Sequence, residues 1–476
     1  MSPSDDQASL YAAREPVFPR RVSGKFRFLK WWIMLATLGV YYLAPWIRWD
    51  RGENLPDQAI LVDLAGRRFF FFWIEIWPHE FYFIAGLLIM AGLGLFLFTS
   101  ALGRVWCGYA CPQTVWTDLF ILVERWIEGD RNARVRLWKS KWDFRKWRLR
   151  IAKWIIWALI GLATGGAWVF YFTDAPALLA DLLTFNAHPI AYTTIAFLTL
   201  TTVLFGGFAR EQICIYMCPW PRIQAAMMDQ DTLTVAYRSW RGEPRGKHRK
   251  AADADKLGDC IDCSACVNVC PMGIDIREGQ QLECITCALC IDACDDVMDK
   301  IGKPRGLIDY MALTDETAEI AGKEPKKVWK HVLRPRTILY TVLWSLVGFG
   351  LVFALFIRPE IDLSVAPVRN PLFVTMSDGS IRNAYDVRLL NKHGDDRVFE
   401  MTVSSEAQLT IRLEGSEDGK SVLVPADDTL LQRVYVIAPP ENAAANNKTT
   451  DVRFWVRDTV NDDRAFTNSV FHGSGR

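Results

Sequence analysis

Histidine is scarce in this 476-residue sequence, with six in all, and neither charge sign is in excess: 55 lysines and arginines stand against 54 aspartates and glutamates. That balance excludes a bulk-charge attraction to nucleic acid. No cysteine is scattered. All twelve fall in residues 107–111, 214–218 and 260–294. This confinement excludes a disulfide scaffold and points to metal or redox chemistry in a reducing compartment. The first thirty residues are polar and basic, and the apolar run that follows begins too late for a secretory signal peptide, so none is expected. What the chain has in quantity is apolar surface. Hydrophobic residues reach 51%, with 20 Trp and 27 Phe, a load that a soluble chain of this size has little use for.

Eight of the cysteines form two similar runs, Cys260-x2-Cys263-x2-Cys266-x3-Cys270-Pro271 and Cys284-x2-Cys287-x2-Cys290-x3-Cys294. This spacing wraps two [4Fe–4S] clusters, with the fourth ligand of each supplied by the other run. Cluster I is therefore assigned to Cys260, Cys263, Cys266 and Cys294. Cluster II takes Cys284, Cys287, Cys290 and Cys270. Two zinc sites would also use C-x2-C pairs, but a four-ligand zinc has no need of the regular triple.

Five apolar runs are read as membrane spans, at 31–47, 81–103, 154–173, 189–209 and 337–357. The first is short and carries Pro45. Phe69 to Trp77 reads as an interfacial segment leading into the second span. Basic residues crowd the N-terminus from Arg14 to Lys30 and the 104–153 loop, whereas 174–188 has none and 48–80 has four against six acids. Lysine and arginine placement thus puts the N-terminus and the two-run segment in the cytoplasm, and the tail in the periplasm of a bacterium. The expected organisation is a cytoplasmic basic N-terminus (1–30) and four transmembrane helices (31–210). A cytoplasmic segment (211–336) follows, with a ferredoxin domain of α+β type at about 255–300. The fifth span (337–357) leads to a periplasmic domain (360–476). The tail alternates apolar and polar residues, as in Val452-Arg453-Phe454-Trp455-Val456, with turn signals at Asp378-Gly379, Asp418-Gly419 and Pro439-Pro440. Seven or so short strands in an all-β immunoglobulin-like sandwich are expected.

The remaining cysteines form two C-x3-C-P motifs, Cys107 to Pro112 and Cys214 to Pro219, each just past a span and each preceded by an arginine, Arg104 or Arg210. This supports an internal repeat of two helical hairpins. The trailing proline disfavours helix at the second cysteine of each motif. Cys107, Cys111, Cys214 and Cys218 together suit Cu(I), zinc, a further iron–sulfur centre or a dithiol–disulfide couple. A structural role at a helix boundary is the plain alternative. His79 and His188 lie near outer span ends, where a facing pair binds haem or copper but interfacial histidines more often bond water or backbone. His248, His331, His393 and His472 read as surface or loop residues. The basic run Arg241 to Lys250 reads as a linker near anionic lipid, with no nucleic-acid platform beside it.

The combination of spans, two C-x3-C-P motifs, the two-run segment and a sandwich tail resembles the CcoG/FixG/RdxA family, the membrane iron–sulfur accessory proteins of cbb3-type cytochrome oxidase biogenesis. Asp295 after Cys294, where ferredoxins often have proline, departs from the pattern but removes no ligand. The resemblance implies electron transfer that reduces Cu(II) to Cu(I) at the cytoplasmic face, with Cys107, Cys111, Cys214 and Cys218 binding copper or relaying the electron. It implies as partners the copper ion, a cytoplasmic electron donor, and oxidase subunits or copper-transport and assembly proteins; a homodimer is left open. A quinol-linked electron-transfer protein and a non-enzymatic assembly scaffold are the competing readings.

Overall fold

The computed structural model describes residues 16–52, 55–246, 257–358, 361–416, 419–426 and 428–475. Arg14, the Lys247 to Lys250 part of the basic run with His248, residues 255 and 256 of the expected ferredoxin domain, and Asp418 lie outside the described residues. The chain divides into two units, Met1–Ile47 with Gln58–Leu351, and Arg48–Asp57 with Val352–Arg476.

The first unit opens with helix α1 (Lys25–Leu43) and a three-stranded antiparallel meander, β1 (Ile60–Asp63), β2 (Arg68–Phe71) and β3 (Ile74–Ile76). Phe69 to Trp77, expected as an interfacial segment, supplies two of those strands. Helices α2 (Tyr82–Leu102), α3 (Pro112–Glu128), α4 (Phe144–Val169) and α5 (Pro189–Thr202) follow. Strand β4 (Thr234–Tyr237) then pairs with β5 (Ile308–Met311) around the two cysteine runs, and between them lies α6 (Leu289–Lys300). The last helix is α7 (Pro335–Ile357).

Four stretches of helix are long and apolar enough to cross a membrane: Pro78–Leu102, Phe144–Val169, Pro189–Ala209 and Pro335–Ile357. The expected first span, 31–47, is not among them, so the count of five is corrected to four. The reason lies in the first turns of α1. Arg27 and Lys30 are buried, and Arg27 Nη1 reaches both oxygens of Asp118 on α3 at 2.9 Å. Only Trp31 to Leu43 remain apolar, about 20 Å of helix at 1.5 Å per residue against a hydrocarbon core of about 30 Å. The helix nonetheless lies along α4. Tyr41 Oη donates to the Thr164 carbonyl at 2.8 Å, and Tyr171 Oη donates to the Tyr41 carbonyl at 2.9 Å.

Helix α4 starts ten residues before the apolar run that announces it, because Asp143 caps it by accepting from Lys146 N at 2.7 Å. It packs closely on α5 through glycine. A Cβ on Gly165 would stand 2.8 Å from the Ile195 carbonyl oxygen, an approach that only a missing side chain permits. His331, expected on a surface or loop, is instead buried, with Nε2 2.8 Å from Asp315 and Nδ1 3.4 Å from Asp231.

The second unit is a sandwich. Its first sheet runs β10 (Thr410–Leu413), β12 (Thr429–Ala438), β8 (Ile381–Asn391), β6 (Ile361–Pro367), with β7 (Val374–Thr375) also on β8. The second runs β11 (Ser421–Val424), β9 (Arg397–Ser404), β13 (Thr449–Asp458), β14 (Arg464–His472). Five and four antiparallel strands exceed the seven or so expected, because β7 and β11 are too short to show a period-two pattern. In β8 the alternate residues Ile381, Asn383, Tyr385, Val387 and Leu389 point inward, and they meet Phe399, Phe454 and Val456 of the facing sheet. Tyr385 Oη finds its acceptor in the Val470 carbonyl at 2.9 Å.

Candidate metal centre

The two cysteine runs fold as duplicates. In the first, Asp262 and Ser264 adopt φ of 54° and 54°; in the second, Thr286 and Ala288 adopt 56° and 60°. These residues stand two and four positions after the first cysteine of each run. Left-handed backbone at alternate positions turns successive amides and side chains to one side, the concavity that holds Fe–S sites. Such conformations cost about 1–2 kcal/mol per non-glycine residue, so four of them in register mark a constrained loop. A short helix (Ala265–Val269) continues the first run and α6 continues the second.

Each loop wraps its own cavity, and the runs exchange their last cysteines. One cavity is walled by Cys260, Cys263, Cys266 and Cys294. The other is walled by Cys270, Cys284, Cys287 and Cys290, with Cys266 at its edge. The electrostatics agree. Burial pushes the Cys270 thiol up to about 12, and its strongest thiol neighbours are Cys287 and Cys284 of the opposite run. Burial likewise lifts Cys294 to about 12, beside Cys266, Cys260 and Cys263. Thiols raised this far ionise only beside a compensating cation, which a cluster provides. Among the described residues, one group of His, Cys, Asp or Glu ligand atoms lies within 4.8 Å of one another, His393 with Asp458 and Asp463, and it contains no cysteine. A tetrahedral Zn–S4 site needs sulfurs about 3.8 Å apart. The wider setting fits a cubane better than a single ion.

The C-x3-C-P motifs are built alike. Helix α2 ends at Gly103 with φ 61° and ψ −128°, and the second hairpin breaks at Arg210 with φ 45° and ψ −112°. Each break is four residues before the first cysteine. A π-helical stretch (Val203–Ala209) follows α5 directly, and another π turn (Ile213–Met217) carries Cys214; such turns often serve functional sites. Both second cysteines are extended, Cys111 with ψ 129° and Cys218 with ψ 124°, as the following prolines require.

The four thiols lie close enough to feel one another's charge, though no three of their sulfurs are within 4.8 Å of one another. Burial pushes Cys214 up to about 12, with Cys111, Cys107 and Cys218 adding to the rise. Burial also raises Cys107, against the lowering effect of the Arg104 guanidinium. Cys107 Sγ lies 3.1 Å from Oε1 of the fully buried Gln224, whose Nε2 donates to Thr99 Oγ1 at 3.3 Å. The four-thiol site adjoins the second run. Cys107 and Cys214 pack in the same apolar core as Cys270, Cys287 and Cys290. Arg104 Nη1 donates to the Leu282 carbonyl; burial pushes the Cys284 thiol up to about 11, and the Arg104 charge opposes that rise. Gln224 is a site residue with no sequence signal, because nothing in its spacing links it to a cysteine. Tyr310 is a further such residue, through its hydrogen bond to the Thr286 carbonyl at 2.8 Å. Tyr109 was visible inside the first motif, but only its contact gives it a role.

His188 Nδ1 accepts from Ile190 N at 3.3 Å and caps α5. His79 lies 3.9 Å from Glu80. No metal-ligand group among the described residues includes either histidine.

Together, four helices long and apolar enough to cross a membrane and the paired cysteine loops define a membrane iron–sulfur protein of the two-run ferredoxin type. Comparison with known families agrees. A 4Fe-4S dicluster domain family matches residues 209–313, a 4Fe-4S binding domain family matches 83–130, and the IG-like fold at the C-terminal of FixG matches 351–474. The second of these covers Cys107 and Cys111. Protein RdxB of Cereibacter sphaeroides is 70% identical over 100% of this chain and 99% of its own length. Protein RdxA of the same organism is 62% identical, covering 98% and 99%. Nitrogen fixation protein FixG of Rhizobium meliloti is 56% identical, covering 90% and 88%. The chain belongs to this FixG/RdxA/RdxB family of membrane iron–sulfur proteins.

Proposed function

We propose that this protein passes single electrons through two [4Fe–4S] clusters to Cu(II), giving Cu(I) for cbb3-type oxidase biogenesis. The observation that carries this reading is the shared core of Cys107 and Cys214 with Cys270, Cys287 and Cys290. Cys260, Cys263, Cys266 and Cys294 would hold one cluster, and Cys284, Cys287, Cys290 and Cys270 the other; when bound, the clusters supply one-electron redox chemistry. Cys107, Cys111, Cys214 and Cys218 are the soft donors for copper, and thiolates favour the Cu(I) product. Arg104, between Cys107 and Cys284, offsets negative charge as thiolates form. The basic flanks of the cysteine segments support a cytoplasmic four-thiol site and ferredoxin domain, and the single span Pro335–Ile357 then leads to a periplasmic tail. Copper-transport or oxidase-assembly proteins are the partners this reading requires.

The test replaces Cys107, Cys111, Cys214 and Cys218 by serine and leaves the other eight. Cu(II) reduction by the dithionite-reduced protein is expected to stop while the cluster absorbance persists. Unchanged copper reduction in that variant sinks the reading.

A further inference from the structure

One cavity in the first unit has no part in the copper reading. It measures about 540 Å³, within the range of small-molecule sites. It lies at the basic start of α4, beside the π-helical end of the second hairpin. Its walls are aromatic: Trp138, Trp142, Trp154, Trp157, Phe18 and Phe208. Trp157 and Phe208 meet edge to face at 5.6 Å, and Trp154 lies 6.3 Å from Phe208.

The cations on its walls already have acceptors. Lys153 lies 2.8 Å from Glu128 and 3.3 Å from Glu124, and Arg150 lies 3.2 Å from Glu128. Arg210 pairs with Glu124 and donates to the Gly207 carbonyl at 2.7 Å. Lys146 donates to the carbonyls of Ser140 at 2.6 Å and Trp138 at 3.1 Å. A phosphate would have to displace these partners. A flat neutral ring needs none displaced and gains the aromatic walls.

The cavity also adjoins the cysteine sites through shared wall residues. Arg210 and Glu211 wall it and also wall a small second cavity that contains Cys214, Met272 and Ile285. Met272 and Ile285 in turn wall the cavity of Cys270, Cys284, Cys287 and Cys290. Of the two carboxylates lining the aromatic cavity, Glu124 is a poor proton acceptor. Burial pushes its carboxyl up, but Arg210, Arg134 and Lys153 outweigh burial and hold it below the usual range. Glu211 is the other, and it is buried.

We propose that this cavity binds a membrane hydroquinone, with Glu211 taking the first proton as electrons leave toward Cys214 and the second cysteine run. The inference rests on the electron-transfer reading and not on copper. It replaces the expected cytoplasmic donor with a lipid-soluble one. Oxidation breaks two O–H bonds and gives the quinone, two protons and two electrons. The two [4Fe–4S]2+ centres, when bound by the eight cysteines, would each accept one electron, and the two protons would pass in turn through Glu211 to water.

Full-length protein in nanodiscs, free of copper and oxygen, is mixed with decylubiquinol while cluster bleaching is followed. Decylubiquinone binding is measured separately by tryptophan quenching and by native mass spectrometry. We expect bleaching by the quinol and one bound quinone per chain. Trp154→Ala should weaken quinone binding at least tenfold, with bleaching by dithionite unchanged as the control for folding. Glu211→Gln should keep quinone binding but slow quinol-driven bleaching at least tenfold and alter its pH profile. The proposal is overturned if dithionite but not decylubiquinol bleaches the clusters, if neither variant changes the response, or if phosphatidylglycerol and not the quinone occupies the cavity. Because no copper is present, a failed copper reductase and a failed quinol site are read separately.

Discussion

Tyr109 Oη donates to the carbonyl oxygen of Cys287 at 3.2 Å. This one bond joins the middle of the first C-x3-C-P motif to the second cysteine run, 178 residues away in sequence. Tyr310 supports the same loop by donating to the Thr286 carbonyl at 2.8 Å. The motif is therefore a docking surface as well as a pair of thiols.

Its neighbour Gly108 sets how closely the two can approach. A Cβ there would stand 2.6 Å from the Ile285 carbonyl oxygen and 3.0 Å from Cys287 Cα. Backbone on both sides cannot yield cheaply, so Gly108→Val is expected to cost about 1–3 kcal/mol. The variant should lose iron faster on mild heating, and its reduced-state paramagnetic spectrum should change. Tyr109→Phe, which loses one hydrogen bond of about 1 kcal/mol, should keep its iron. A Gly108→Val protein with wild-type heat resistance and spectrum would contradict the close contact.

The exchange of Cys270 and Cys294 between the runs makes a paired-variant prediction. Cys263→Ser with Cys294→Ser removes two ligands of one proposed centre and should leave about half of the eight irons that two clusters contain. Cys263→Ser with Cys270→Ser damages both centres and should leave far less. Iron analysis of the two purified double variants decides it, and equal iron in both would favour ligation within each run.

Asp118 anchors the start of α1 and makes the protein acid-sensitive in a defined window. Burial pushes its carboxyl up, but Lys30 and Arg27 outweigh burial and hold it below the ordinary value. A lowered folded pKa contributes stability that is fully present above the unfolded value of about 3.9 and is lost as pH falls through the folded value. Thermal unfolding should therefore show this contribution constant from about pH 7 to 5 and fading only below about pH 4. Asp118→Asn should lose about 3–5 kcal/mol at neutral pH, because Arg27 stays buried without its counter-charge. It should also lack that acid-limb contribution.

In the tail, Asn391 is fully buried and its Nδ2 donates to the carbonyls of Asp395, Pro425 and Val424 at 2.9, 3.0 and 3.3 Å. Asn391→Ala leaves those acceptors unmet and should cost about 1–3 kcal/mol. Limited proteolysis of the whole protein should then cut the tail sooner, with the cluster absorbance unaltered.

Much of this protein was legible in its residues alone. Ligand spacing reports cluster loops directly, because the positions of Cys260, Cys263 and Cys266 are set by a short local backbone path that a chain can adopt only with residues in register. Uninterrupted apolar length reports α2, α5 and α7 for an equally local reason. Proline after Cys111 and Cys218 dictates the extended backbone at both. The false fifth span shows the limit. The 31–47 run looks apolar, but its helix starts earlier, and Arg27 and Lys30 find their place only once Asp118 is brought across from another helix. His331 was misread for the same reason, since its two carboxylate neighbours come from distant segments. Tertiary structure alone decided that Cys107 and Cys214, from two hairpins, share one core with the second run, that Gln224 and Arg104 border the first of them, and that an aromatic cavity shares Arg210 and Glu211 with the small cavity beside Cys214. Those relationships depend on packing between segments far apart in the chain, and sequence spacing carries no record of distances that only close packing sets.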